Sequence, residues 1–175
     1  RNQNPKEGFV DVSCLLRLGP DGNIWVTEVT TGIARVDPKT GSIINHFLHN
    51  PQKPEGFPAH IEDFDFEPRQ KEIIWVVAQG VVVEYNWNTQ TVVNRYSSGT
   101  QSKIWPVWTD KRNPDLLYGS VWGEGLLKFN KRTGQAKIFT PDPAHPKESL
   151  SGTGIRPLMP GYYQTEDNQI WLIIL

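Results

Sequence analysis

The most regular feature of the chain is a series of short apolar runs separated by turn residues. In the four clearest of these apolar runs, the central residue is aromatic: Trp25, Trp75, Tyr118 and Trp171. The runs are rich in Val, Ile and aromatic residues, and Asn, Asp, Gly and Pro bound them, as expected of β-strands joined by tight turns. No long stretch shows the period of an amphipathic helix. The pattern therefore predicts an all-β chain.

These aromatic runs belong to an internal repeat. A polar turn begins 12, 11 and 12 residues after the aromatic residue in the first three units, at Asp37, Asn86 and Asn130. A Gly-led strand precedes each turn, and a strand that ends in an aromatic residue follows it: Phe47, Tyr96 and Phe139. The spacing between units varies because the connections between units tolerate insertions best.

Each unit contains four short strands, which in the first unit are expected near residues 12–18, 23–28, 32–37 and 42–47. A four-stranded antiparallel unit with a period of about 40 to 50 residues is typical of a β-propeller blade. A β-sandwich or a solenoid is the competing all-β interpretation. In a propeller, we expect the central aromatic residues to occupy equivalent buried positions between neighbouring blades.

The fold class predicted is therefore all-β, a β-propeller fragment of about three and a half four-stranded blades. Residues 1–175 form one partial propeller in this interpretation, with blades at about 9–50, 58–98, 102–140 and, incomplete, 154–175. Closed rings have about four blades or more. We therefore expect the segment to belong to a longer chain, with a second copy covering its ends as the alternative.

Composition and charge narrow the functional classes. The hydrophobic content of 37% and the seven Trp residues argue against disorder. A net charge of −1 gives no electrostatic reason to expect nucleic acid or an acidic membrane surface as a partner. Since no apolar stretch approaches the roughly 18 residues of a spanning helix, no membrane contact by this segment is expected. The single Cys14 is expected to be a buried, inert thiol.

Residues 19–27 and 32–41 resemble the two-component regulator propeller repeat. The third unit resembles it again at residues 125–134, and in the Asp-Pro and Ser-Leu-Ser linker of residues 142–151. The resemblance implies a non-catalytic, periplasmic ligand-sensing region of a hybrid sensor histidine kinase. Many such kinases respond to oligosaccharides. Gln90 in place of the turn Gly, and Tyr118 in place of Trp, depart from the repeat.

The first unit is also similar to streptogramin lyase propellers, which implies a second functional hypothesis. Such a lyase uses histidine, acidic groups and a divalent metal at the mouth of the channel. His60, beside Glu62 and Asp63, is the histidine expected near that mouth. Zinc sites have three or four protein ligands, and one histidine beside two acids is weak evidence for such a site. We therefore predict no catalytic residue, no bound metal and no cofactor. A protein-interaction scaffold is the third hypothesis.

The candidate ligand-binding residues are Trp105, Trp108 and Trp122, together with His60. Aromatic rings suit the apolar faces of sugars, and a few polar groups then fix the orientation of the ligand. The competing interpretation places most of these rings in the core between blades. Trp122 is the best exception, because it lies in a hairpin between two strands. Trp87, in a turn, is expected to be an exposed cap.

Overall fold

The computed structural model describes residues 15–28, 32–145, 147, 150, 162–165 and 170–172. The regular structure of this part of the chain consists of fourteen β-strands. No helix long and apolar enough to cross a membrane occurs among these residues. The prediction of an all-β chain is confirmed.

Twelve of the strands form three four-stranded sheets, in each of which the strands lie side by side in chain order. The first sheet consists of β1 (Leu16–Leu18), β2 (Ile24–Glu28), β3 (Gly32–Val36) and β4 (Ile43–Leu48). The second consists of β5 (Ile61–Phe66), β6 (Ile73–Ala78), β7 (Val81–Asn86) and β8 (Thr91–Ser97). The third consists of β9 (Ile104–Thr109), β10 (Leu116–Val121), β11 (Gly125–Asn130) and β12 (Gln135–Phe139).

A two-stranded antiparallel sheet of β13 (Tyr162–Gln164) and β14 (Ile170–Leu172) follows. Three four-stranded units and a further pair of strands are the architecture that the repeat predicts, so the fold-class prediction is confirmed. In the first sheet, the limits of β2, β3 and β4 differ from the expected ones by one residue, whereas β1 begins at Leu16 and not near residue 12. Residues 12–14 of the expected first strand lie outside the described residues.

The chain divides into two compact units, one of residues 1–78 with 83–95 and one of residues 79–82 with 96–175. The first unit holds the first sheet together with β5 and β6. The second unit holds β9 to β12 and the β13–β14 pair.

The central aromatic residue of each sheet occupies the same register position. Trp25 pairs with Arg17 on β1, Trp75 pairs with Asp65 on β5, and Tyr118 pairs with Trp108 on β9. This equivalence confirms the alignment of the repeat. Trp25 and Trp75 are 0% and 3% exposed, as expected of core residues.

Tyr118 is only half-buried, and the prediction that it is buried like the two Trp residues is wrong. Its row across the third sheet continues to Lys128 and then to the exposed Lys137. Cross-strand neighbours on one face of a sheet share their environment. Because the ammonium groups of Lys128 and Lys137 need water, the face that they share with Tyr118 stays partly open to solvent. The equivalent row of the first sheet is covered by an aromatic ring.

Trp25 packs between the first and second sheets within the first unit. It stacks on Phe47 with ring centroids 5.4 Å apart, and Phe66 and Trp87 contact it edge-on at 5.5 Å each. Edge-to-face and stacked pairs of this kind stabilise a core beyond the area that they bury. The expectation that a central Trp packs between neighbouring blades is confirmed for Trp25.

Trp87 is half-buried, so the expectation of an exposed cap is wrong. Its indole lies against Trp25 and under the Arg35 guanidinium, whose Cζ is 4.9 Å from the ring centroid. Its Nε1 donates a hydrogen bond to the Lys71 carbonyl oxygen at 2.8 Å. An aromatic ring in a turn is thus drawn into the core by a cationic and an aromatic partner.

An acidic residue after the first strand holds the indole of the second strand in the two four-stranded sheets whose central residue is Trp. Trp25 Nε1 donates to Asp21 Oδ1 at 3.2 Å, and Trp75 Nε1 donates to Glu67 Oε2 at 3.0 Å. These bonds satisfy the indole N–H inside the core. A Cβ at Gly19 would lie 2.4 Å from both Asp21 Oδ1 and Trp25 Nε1, which explains the glycine there.

Candidate functional site

Two chain segments lie side by side at one end of the third sheet, where β9 begins and β10 ends. One is residues 98–103, the connection between β8 and β9; the other is residues 122–124, the hairpin between β10 and β11. Val121 pairs with Ile104, and the Trp122 amide donates to the Lys103 carbonyl oxygen at 2.8 Å. The strands therefore fix the two segments against each other.

The three-residue hairpin has a tightly determined backbone. Gly123 has φ 75°, a left-handed conformation that favours glycine. A Cβ at Gly125 would lie 2.0 Å from the Phe139 carbonyl oxygen, so only glycine fits at that close approach. The Glu124 amide donates to the Val121 carbonyl oxygen at 3.1 Å. Trp122 and Glu124 are consequently held on either side of one turn.

Trp122 is 62% exposed and is the only aromatic side chain among the exposed large apolar residues of the described part of the chain. Trp side chains are enriched at interfaces because an apolar ring is combined with a polar N–H group, so the exposed indole of Trp122 is a candidate contact residue.

The Glu124 carboxylate is oriented by two hydroxyl groups. Its Oε1 accepts a hydrogen bond from Thr100 Oγ1 and another from Ser102 Oγ, both at 2.6 Å. The Ser102 amide donates to Thr100 Oγ1 at 2.9 Å, so the Thr100 hydroxyl accepts from the backbone and gives its own proton to the carboxylate. The hydrogen bonds from Ser102 and then Thr100 hold the pKa of Glu124 below its ordinary value.

The segment that carries these hydroxyls is itself braced. Ser98 is buried; its amide donates to the Gly80 carbonyl oxygen at 3.0 Å, and its hydroxyl donates to the Thr100 carbonyl oxygen at 2.8 Å. A Cβ at Gly80 would meet the Gln101 amide at 2.6 Å, so the exposed Gln101 side chain lies directly over Gly80. We call the set formed by Thr100, Gln101, Ser102, Trp122 and Glu124 the hairpin-edge site.

Of the predicted ligand-binding residues, Trp122 belongs to the hairpin-edge site. Trp108 is buried and stacks on Tyr118 with ring centroids 5.9 Å apart, which favours the core interpretation for that ring. Trp105 is half-buried on β9. Ligand binding by Trp105, Trp108, Trp122 and His60 stays a prediction.

His60 lies in the first unit, directly before β5, and is exposed with φ 54°. Of the two acids beside it, Asp63 is fully buried and binds Arg17, whose Nη2 lies 2.9 Å from Oδ2 and 3.1 Å from Oδ1. This carboxylate is therefore engaged in an ion pair between β1 and β5. Within the described residues, no group of three or more His, Cys, Asp or Glu is arranged to hold a metal ion.

Sequence reasoning missed the part of the site that comes from Glu124, Thr100 and Ser102. A signal was present, because residues 97–102 read Ser-Ser-Gly-Thr-Gln-Ser directly before a first strand. Serine and threonine in such numbers usually indicate only a loop. Their pairing with an acid two dozen residues later depends on the sheet register.

Solved structures share this architecture. The extracellular domain of a B. thetaiotaomicron protein assigned to a hybrid two-component system matches with a TM-score of 0.65 and 15% identity, over 90% of this chain and 19% of its own. A second such domain from the same organism matches with a TM-score of 0.67 and 14% identity, over 98% of this chain and 22% of its own. A β-propeller domain from Myceliophteria thermophila matches with a TM-score of 0.57 and 10% identity, over 78% of this chain and 41% of its own.

The chain is built of β-propeller blades. At these identities the likeness establishes the fold, and the blades span about a fifth of the length of the two B. thetaiotaomicron domains. No family model and no curated protein matches the sequence. The function of the blades must therefore be argued from the hairpin-edge site.

Proposed function

We propose that these blades are part of the ligand-sensing, extracytoplasmic region of a two-component signal-transduction sensor, located in the periplasm, and that the ligand is an oligosaccharide. Two observations support the sensor role. The fold is shared with extracellular domains of proteins assigned to hybrid two-component systems. The sequence resembles the propeller repeat of sensor histidine kinases in the first and third repeats, at residues 19–41 and 125–151.

The observation that carries the oligosaccharide is the exposed indole of Trp122 on the same three-residue hairpin as the Glu124 carboxylate, which two hydroxyl groups orient. A sugar ring offers C–H groups on its faces and hydroxyl groups at its rim. An aromatic ring takes the face, and acceptors such as Glu124, with the amide of Gln101, take the hydroxyls. The hairpin-edge site provides both kinds of contact.

The role that we propose is binding without chemistry. Glycoside hydrolysis uses two carboxyl groups, of which the general acid needs a raised pKa. The pKa of Glu124 is lowered by the Ser102 and Thr100 hydroxyls, so this group is poorly suited to donate a proton near neutral pH. Its arrangement suits an acceptor in a binding site.

Calorimetric titration with a panel of neutral oligosaccharides tests the proposal. We expect at least one of them to bind, and Trp122→Ala to weaken that binding about fivefold, as the loss of an aromatic contact of about 1 kcal/mol predicts. Val93→Ala is the control, since Val93 is an exposed apolar residue on β8, outside the hairpin-edge site. Mass spectrometry of the recovered sugars should find them unchanged.

Three results would contradict the proposal. The first is that none of the oligosaccharides binds to the wild-type chain. The second is that Trp122→Ala binds as tightly as the Val93→Ala control. The third is the appearance of cleaved or eliminated sugar, which would favour a lyase or hydrolase.

A further inference from the structure

The two oxygen atoms of the Glu124 carboxylate have different surroundings. Oε1 receives both hydroxyl donors, Thr100 and Ser102. Within the described part of the chain, Oε2 takes part in no hydrogen bond or ion pair, and the side chain as a whole is half-buried. The carboxylate is thus held from one side and presents its second oxygen to a ligand.

An oxygen of this kind discriminates between ligands by charge. A sugar hydroxyl donates to an ionised carboxylate in a charge-assisted hydrogen bond, which is stronger than a neutral one. The carboxylate of a uronic acid can only accept, and its negative charge is repelled by that of Glu124. The two neutral hydroxyls and the Gln101 amide offer no fixed positive charge to offset the repulsion.

Lys103 is the charged neighbour of the site in sequence. Its backbone carbonyl accepts from the Trp122 amide, and its side chain is exposed. An exposed ammonium on a four-carbon stem is strongly hydrated, so it compensates an oriented carboxylate only weakly.

We infer that the hairpin-edge site selects neutral, hydroxyl-rich saccharides over saccharides that carry uronic acids, with Glu124 as the selecting residue. The inference rests on the proposed function, since it assigns the ligand class of that same site. It names a residue and a direction of selectivity that the likeness in fold does not supply.

Binding of matched saccharide pairs tests the inference. The probes are glucan, galactan and mannan oligosaccharides and the uronic-acid oligosaccharides of the same length and linkage, titrated into the wild-type chain at low salt. We expect a neutral member to bind and its uronic partner to bind roughly tenfold more weakly, as a repulsion between charges a few ångströms apart predicts. Raising the salt concentration should narrow the ratio.

The variant that isolates the carboxylate is Glu124→Gln, whose amide keeps the shape and can still accept from Thr100 and Ser102. It should bring the affinity for the uronic partner to within about threefold of the neutral one. Glu55→Gln is the matched control, because it removes the same charge at an exposed position in the first unit and should leave the ratio unchanged. Lys103→Gln should widen the ratio slightly or leave it as it is. Circular dichroism of each variant checks that the sheets are retained.

The possible failures are distinguishable. Equal or tighter binding of the uronic partner by the wild-type chain, or an unchanged ratio in Glu124→Gln, overturns the selectivity while neutral binding still supports the sensor proposal. Binding of no saccharide at all overturns the proposed function and the inference together.

Discussion

Tyr85 illustrates how strongly single residues are shielded in the first unit. It lies on β7 with 4% of its surface exposed, and its ring meets Phe57 edge-on at 4.7 Å and Phe47 at 5.9 Å. Burial raises the pKa of this phenol to about 12. The neutral form is favoured by folding, so its contribution to stability is complete below pH about 10 and is lost as the pH rises through about 12.

A spectroscopic titration of phenolate formation checks this expectation. Tyr85→Phe should remove an ionisation step near pH 12. Loss of a step near pH 10 in that variant would show that Tyr85 is accessible to water. The free energy of unfolding of the wild-type chain should decline between these two pH values more steeply than that of the variant.

Residues of the candidate site differ in how well the sequence predicts them. The exposure of Trp122 was predicted from its hairpin position, because connecting segments run over the surface. The same reasoning failed for Trp87, whose ring packs against Trp25. Trp108 has the same residue type on a strand, and the structure buries it. Glu124 was not predicted, since its importance comes from hydroxyls more than twenty residues away that only the sheet register brings near it.

At the scale of the element, the second strand of each sheet is the one that the sequence defines best. Its apolar run, its central aromatic residue and the fixed distance to the next turn all agree. The first strand is harder to delimit, because its polar residues pair across the sheets, as Arg17 does with Asp63. The carboxylates that hold the indoles were not predicted either. An acid in a turn is ordinarily explained by turn geometry alone.

Truncation of the central aromatic residue should destabilise the chain by an amount that depends on how deeply that residue is buried. Trp25→Ala should lower the free energy of unfolding by about 3 to 5 kcal/mol, because a fully buried indole with three close aromatic neighbours is removed. Tyr118→Ala, at the equivalent position in the third sheet, should cost less because its ring is half-buried. Urea denaturation of the two variants measures both values. Equal losses, or a larger one for Tyr118, would contradict the burial that separates them.

At the scale of the whole molecule, one four-stranded plan is used three times and begun a fourth time. The sequence predicts this organisation because the turn and strand signals recur in a fixed order. In the structure, the second hairpin of the third sheet lies at the same end as the start of its first strand, because neighbouring antiparallel strands reverse direction. The repeat does not predict which end of a sheet carries the proposed ligand site. That depends on side chains that the repeat leaves variable, such as Trp122 and Glu124.

Hydrogen–deuterium exchange with and without a saturating neutral oligosaccharide tests the central claim most directly, because it locates the ligand on the chain. The account predicts slower exchange in residues 98–103 and 122–124, the two segments that carry the hairpin-edge site, and no change around His60. Protection that leaves both segments unchanged and falls instead on residues 58–63 would contradict it.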